Sequence, residues 1–216
     1  MDEGINNNFA EVAGMIAHAP VFSHENRGEK FYTTPICIHR LSGTTDTLNV
    51  IIREKLISHM ELKEADRIHI FGQLRSFNNK TFNGAKLIVS IFARDIIAED
   101  CDDRNDILLR GTICKTPTLR KTPLGREICD FMLAVNRRCG RSDYIPCIAW
   151  GQKAREIAQL PVGTAITVSG RFQSRPYTKL TESGPIHKTA YEVSVSKIEF
   201  PIRENAEDTD EFQQMT

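Results

Sequence analysis

The chain repeats itself, and this constrains its architecture more than any other feature. Slid along itself, the 216-residue sequence matches at an offset of 97: Asn8, Gly14, Ile16 and Pro20 fall on Asn105, Gly111, Ile113 and Pro117, and Gly28, Arg40, Gly43 and Asp46 fall on Gly125, Arg137, Gly140 and Asp143. One added residue then brings Ile70 and Gly72 onto Val168 and Gly170, and six more bring Val89 and Ser90 onto Val193 and Ser194. Two copies of one domain of ordinary size follow. The expected division is a first domain at 1–100, a charged linker at 101–104, a second domain at 105–200 and an acidic tail at 201–216.

Within each copy apolar residues alternate with polar ones, the period of a strand that buries one face. In the second copy Ile107, Leu109 and Ile113 mark the first strand; residues 128–135 and 144–150 make the second and third, 166–172 the fourth and 191–195 the fifth. Residues 119–125, with Pro123 and Gly125, read as the first hairpin loop. The one convincing helix is 152–160, where Ala154, Ile157 and Ala158 sit at helical spacing before Pro161 and Gly163 end it. Three strands, a short helix and two more strands is the element order of the OB-fold, a five-stranded, partly open Greek-key barrel. The expected fold class is therefore all-β, as two tandem OB-folds. An immunoglobulin-like sandwich would need about seven strands and no helix before the last two. Residues 175–189, rich in Pro, Gly, Thr and Lys, fall between strands four and five and read as a protruding loop able to carry function.

Missing motifs narrow the function classes. There is no G-x-x-x-x-G-K-[ST] loop, G-x-S-x-G elbow, H-E-x-x-H or EF-hand loop, so neither catalysis nor a cofactor is expected. The cysteines at 37, 101, 114, 129, 139 and 147 form no C-x-x-C pair and have no histidine at zinc-finger spacing, which reads as thiols in a reducing cytoplasm. No leader is expected, because Asp2, Glu3 and Glu11 stand where a basic stretch and an apolar run would be needed. Basic and acidic residues balance at 28 each, yet residues 105–200 hold 15 basic and 8 acidic groups. The balancing acid lies in residues 1–100 and in the tail, where Glu204, Glu207, Asp208, Asp210 and Glu211 accompany no core-forming run. A basic second copy flanked by acidic segments points to an anionic partner for that copy.

Asn105, Gly111, Ile113, Pro117 and Arg120, then Phe131 and Leu133-Ala134-Val135-Asn136-Arg137, then Ile148-Ala149-Trp150-Gly151 with Ala154, then Gly163, Gly170-Arg171 and Ser174-Arg175-x-Tyr177 resemble the bacterial single-stranded DNA-binding protein family. The match covers nearly all of residues 105–200. It implies that aromatic side chains stack on unpaired bases while basic residues follow the phosphates, a mode that tolerates any sequence because every base has a π-face. It places stacking aromatics at Tyr144, Trp150 and Tyr177, and meets Cys139 where the family's fourth aromatic falls; Arg137, Arg138 and Arg141 are expected to compensate there. Arg120, Lys121, Arg137, Arg138, Arg171, Arg175 and Lys179 form the expected backbone-tracking set.

In the first copy the four stacking positions hold Ser42, Thr47, Arg53 and Asn79. That domain is therefore expected to be architectural and to bind DNA weakly, with Phe77 and Phe82 of its last loop as partial substitutes. Family members assemble four OB-folds, which implies a homodimer here. They often end in an acidic tail that recruits replication and repair proteins, but Phe212 is followed by Gln213-Gln214-Met215-Thr216 rather than an apolar end. The tail is instead expected to compete with DNA for the basic domain. Rival readings are a protein-interaction module of a primosome-type assembly, which would not need the aromatics with their arginines, and single-stranded RNA binding, since stacking faces and phosphates are shared by both nucleic acids.

Overall fold

The computed structural model describes residues 7–78, 87–181 and 184–201. Its first repeat runs β1 (Asn8–Ile16), β2 (Val21–Asn26), β3 (Glu29–His39), β4 (Thr45–Arg53), α1 (Glu54–Ile57), β5 (Arg67–Asn78) and β6 (Leu87–Ala98). The second runs β7 (Arg104–Ile113), β8 (Thr118–Lys121), β9 (Glu127–Asn136), β10 (Ser142–Trp150), α2 (Gln152–Ala158), β11 (Ala165–Thr181) and β12 (Gly184–Glu199). The tail beyond Pro201 and the positions Asn79 and Phe82 lie outside the described residues.

Strand order in the first repeat is β2-β3-β4-β6-β5-β1, and β1 returns to β3 through Met15↔Cys37 and Ile16↔Ile36, which closes a barrel. The second repeat closes in the same way, β7 meeting β9 through Thr112↔Ala134 and Ile113↔Leu133. In each barrel one long strand is broken in two: β1 and β2 pair with successive stretches of β3, and β7 and β8 with successive stretches of β9. Pro20 and Pro117 fall at the breaks, where a residue without an N–H and with fixed φ interrupts a ladder. Counted so, each repeat is a five-stranded OB-fold with a short helix after the third strand.

The repeated glycines have a common cause. A Cβ on Gly111 would lie 2.7 Å from the carbonyl oxygen of Ala134 at the barrel closure, and one on Gly14 would meet that of Cys37 at the same place in the first repeat. Asn8 and Asn105 also recur for a reason. The Asn8 amide donates to the Leu74 oxygen and accepts from the Leu74 nitrogen, both at 2.8 Å, and Asn105 does the same with Phe172 at 2.7 and 2.9 Å, so each zips its first strand to the fourth.

The two barrels join edge to edge. β1 and β7 pair antiparallel from Asn8↔Leu109 to Ala13↔Arg104, and at the centre Ala10 faces Ile107, the residue 97 positions further on. Register and repeat offset thus coincide, which makes the junction a local two-fold. The result is one twelve-stranded sheet through both barrels.

Two expectations are corrected. Residues 119–125 are only partly loop, because Leu119, Arg120 and Lys121 belong to β8 and pair with β9; the turn is narrower and closes through Gly125 N to Thr122 O at 2.8 Å. Residues 175–189 are not a loop but a two-stranded ribbon, paired from Arg175↔Ala190 to Thr181↔Gly184, so that its backbone polar groups bond to each other. Within the charged linker, Asp103 accepts from the His39 backbone N–H at 2.6 Å and is bonded by the Arg67 guanidinium. Those bonds outweigh the effect of burial and hold the Asp103 carboxyl below its ordinary pKa.

Candidate nucleic-acid interface

Alternation along β10 sends Asp143, Ile145, Cys147 and Ala149 inward and leaves Tyr144 and Trp150 on the outer face, 46% and 38% exposed. Gly151 follows at φ +58°, a left-handed turn that a side chain would strain, and its N–H donates to the Glu127 oxygen at 2.9 Å. That turn stops β10 with the indole at its rim, beside an open cleft of about 640 Å³ whose lining includes Lys121, Arg126 and Arg155. Tyr177 stands on the β11–β12 ribbon, opposite Lys188 and 39% exposed. Cys139 is exposed in the turn after β9. Burial pushes the Cys129 thiol up to about 11, so at neutral pH it stays protonated.

The basic residues divide by what they already hold. Lys121 and Arg138 are exposed and make no ion pair among the described residues. Arg171 is exposed and donates to Gln173 at 3.4 Å, with partial desolvation of its charge and the nearby Arg40 lowering its pKa. Arg120 pairs with Asp130, and Arg175 reaches the Glu192 carboxylate at 3.1 and 3.3 Å. The Arg120 pair is solvated on both sides and so worth about 0–1 kcal/mol, cheap to exchange for a phosphate. Lys179 lies in β11 with its side chain outside the described residues.

Arg137 is held within the fold. It donates to the fully buried Asp143 carboxylate, Nε to Oδ2 at 2.8 Å. Asp143 also accepts from Arg75 Nη1 and the Ser76 N–H of the first repeat, each at 2.7 Å, while Ser76 Oγ accepts from the Tyr144 N–H at 2.7 Å. The local two-fold repeats the clasp. Arg40 donates to buried Asp46, Asp46 accepts from the Ser174 N–H at 2.9 Å, and the Thr47 N–H donates to Ser174 Oγ at 2.9 Å. Each repeat thus pins the fourth strand of the other, and the ribbon bearing Tyr177 is held at its base by the first repeat. The sequence did carry a signal for this, the recurrence of Arg40 and Asp46 as Arg137 and Asp143.

Fold and face together define a class: tandem OB-folds in which the second barrel turns aromatics and unpaired cations outward. The model of the "Single-strand binding protein family" matches residues 104–201, which make up the second repeat. Single-stranded DNA-binding protein A of Bacillus subtilis is 39% identical over 80 residues, covering 34% of this chain and 46% of that protein. The single-stranded DNA-binding protein of Bacillus cereus is 38% identical over 80 residues, covering 34% and 47%. The chain therefore spans about half the length of the curated relatives it matches. The wild-type single-stranded DNA binding protein from Thermus aquaticus superimposes with a TM-score of 0.75 over 94% of this chain and 96% of that one, at 20% identity, a likeness of fold.

Proposed function

We propose that the chain binds single-stranded DNA without regard to sequence, in bacterial replication, recombination or repair. Bases stack on Tyr144, Trp150 and Tyr177; phosphates are met by Lys121, Arg138 and Arg171, and by Arg120 and Arg175 once these exchange carboxylate for phosphate. The observation that carries the reading is the outer face of β10, where two large aromatics stay out of a core that accepts every inward neighbour, next to cations with no acid to hold. Apolar rings left in water beside unpaired charge mark a surface that a partner covers. The work would be done in the cytoplasm, at the nucleoid. Two chains would bring four OB-folds together, and sedimentation at twice the chain mass would support that homodimer, whereas a monomer at micromolar concentration would exclude it.

Trp150 is the sole tryptophan, so its emission reports one site. Oligo(dT) at low salt should quench it saturably, and affinity should fall with salt at a log-log slope of roughly 0.7 per phosphate neutralised. Lys121→Ala with Arg138→Ala should lower that slope by about 1.4. Saturable binding that leaves the emission untouched would overturn the placement of Trp150, and an unchanged slope would move the phosphate path elsewhere.

A further inference from the structure

The first repeat carries a groove that its lack of stacking aromatics gives no reason to expect. At the repeat equivalent of Trp150 stands Arg53, its guanidinium carbon 5.2 Å from the centre of the Phe92 ring. Arg94, two residues along β6, lies over the same ring at 5.7 Å. Because Ile51 pairs with Phe92 in the parallel β4–β6 ladder, Arg53 and Arg94 come level with one another. With Arg75 of β5 and Arg138 from the second repeat they line a groove of about 1080 Å³, and no aspartate or glutamate is among its lining residues.

These cations are short of counter-charge. Arg75 has Asp143 at 2.7 Å. Arg53 has only Glu29, 3.9 Å from Nη1, and its Nε is buried with no hydrogen-bond partner among the described residues. Arg94 donates to Gln73 at 3.0 Å, and neither it nor Arg138 makes an ion pair among the described residues. Burial, with Arg75, Arg53 and Arg138 close by, lowers the Arg94 pKa below its ordinary value. Cations gathered against their mutual repulsion favour any anion that joins them.

We propose that this groove is a second site for the single strand, one that grips the phosphodiester backbone through Arg53, Arg94 and Arg138. The proposal rests on the reading of the second repeat as a single-stranded DNA-binding face. Phe92 is already covered by two guanidiniums, so no base stacks on it. Arg53 and Arg94 lie on the neighbouring strands β4 and β6, spaced about 4.8 Å apart, and with Arg138 at the same groove they make a row of charge that suits a linear polyanion. Guanidinium forks take phosphate oxygens in bidentate fashion. An acidic peptide is the poorer occupant. Peptides gain affinity from main-chain bonds to a free sheet edge, and β4, β6 and β5 each have a paired strand on both sides.

The test compares full-length Arg53→Gln/Arg94→Gln with wild type through Trp150 emission. Oligo(dT) short enough to occupy the second repeat alone should bind both alike. A long oligo(dT) should bind the variant about tenfold more weakly at low salt, with a slope lower by about 1.4, two phosphates at roughly 0.7 each. Equal affinity and slope on the long strand would overturn the proposal. So would loss of polyglutamate binding with long-strand binding intact. Should the double variant not fold, Arg94→Glu, at an exposed position, must reproduce the change in slope or the proposal fails. If no oligonucleotide quenches wild-type Trp150, the second-repeat reading falls by itself; salt-dependent retention of long strands on a filter, abolished by Arg53→Gln/Arg94→Gln, would still support the groove.

Discussion

Replacing Asp143 with alanine should cost about 3–5 kcal/mol of folding stability, the range for removing one partner of a buried ion pair. The carboxylate is wholly buried and receives Arg137 Nε at 2.8 Å, Arg75 Nη1 at 2.7 Å and the Ser76 N–H at 2.7 Å. Without it two guanidiniums lose their counter-charge and a buried N–H loses its acceptor, all at the seam between the repeats. Denaturant unfolding measures the loss. The pH dependence supplies a second readout. Burial pushes the Asp143 carboxyl up, but the bonds from Arg137, Ser76 and Arg75 more than reverse this and hold it below the usual carboxylate range. A group whose pKa falls on folding contributes fully above its unfolded value, about 3.9, and loses that contribution as pH drops through the folded value. Wild type should therefore lose stability in acid, and Asp143→Ala should lose less over the same window. Equal stability of the two proteins at neutral pH would remove Asp143 from the seam.

Tyr144→Ala with Tyr177→Ala should weaken oligo(dT) binding by roughly 2–6 kcal/mol, two stacked bases at about 1–3 kcal/mol each. Both rings are well exposed, at 46% and 39%, so the melting temperature should barely move. Truncation of Tyr144 leaves its backbone N–H on Ser76 Oγ, and the clasp survives. Trp150 remains as reporter in the double variant. A lower melting temperature with affinity preserved would show that the rings pack rather than stack.

The elements differ in how far they could be read in advance. Alternation identified β9, β10 and α2 nearly to their ends, since those patterns depend on neighbours a few residues away. The same logic failed at residues 175–189, where Pro, Gly and Thr look like loop. There β11 and β12 pair only with each other, and the ribbon's pairing, not a buried face, keeps it extended. Proline and glycine signals also widened the first hairpin loop, because β8 is four residues long, exposed throughout, and paired on one side only, with β9.

By itself the sequence determined that there are two copies of one barrel, and that Tyr144 and Trp150 share a face of one strand. Repeat spacing and period-two alternation are local properties of the chain, readable without knowing what lies across the fold. Only the tertiary structure decided which charges are free. Arg137 and Arg138 are adjacent and alike, yet one is spent on a buried carboxylate and the other faces solvent in a groove made by both repeats. Asp143 draws Arg75 from 68 residues away, and Ser174 reaches Asp46 across 128. A charge is neutralised or left available by partners brought together only when both barrels close and join, and no local pattern encodes that distance.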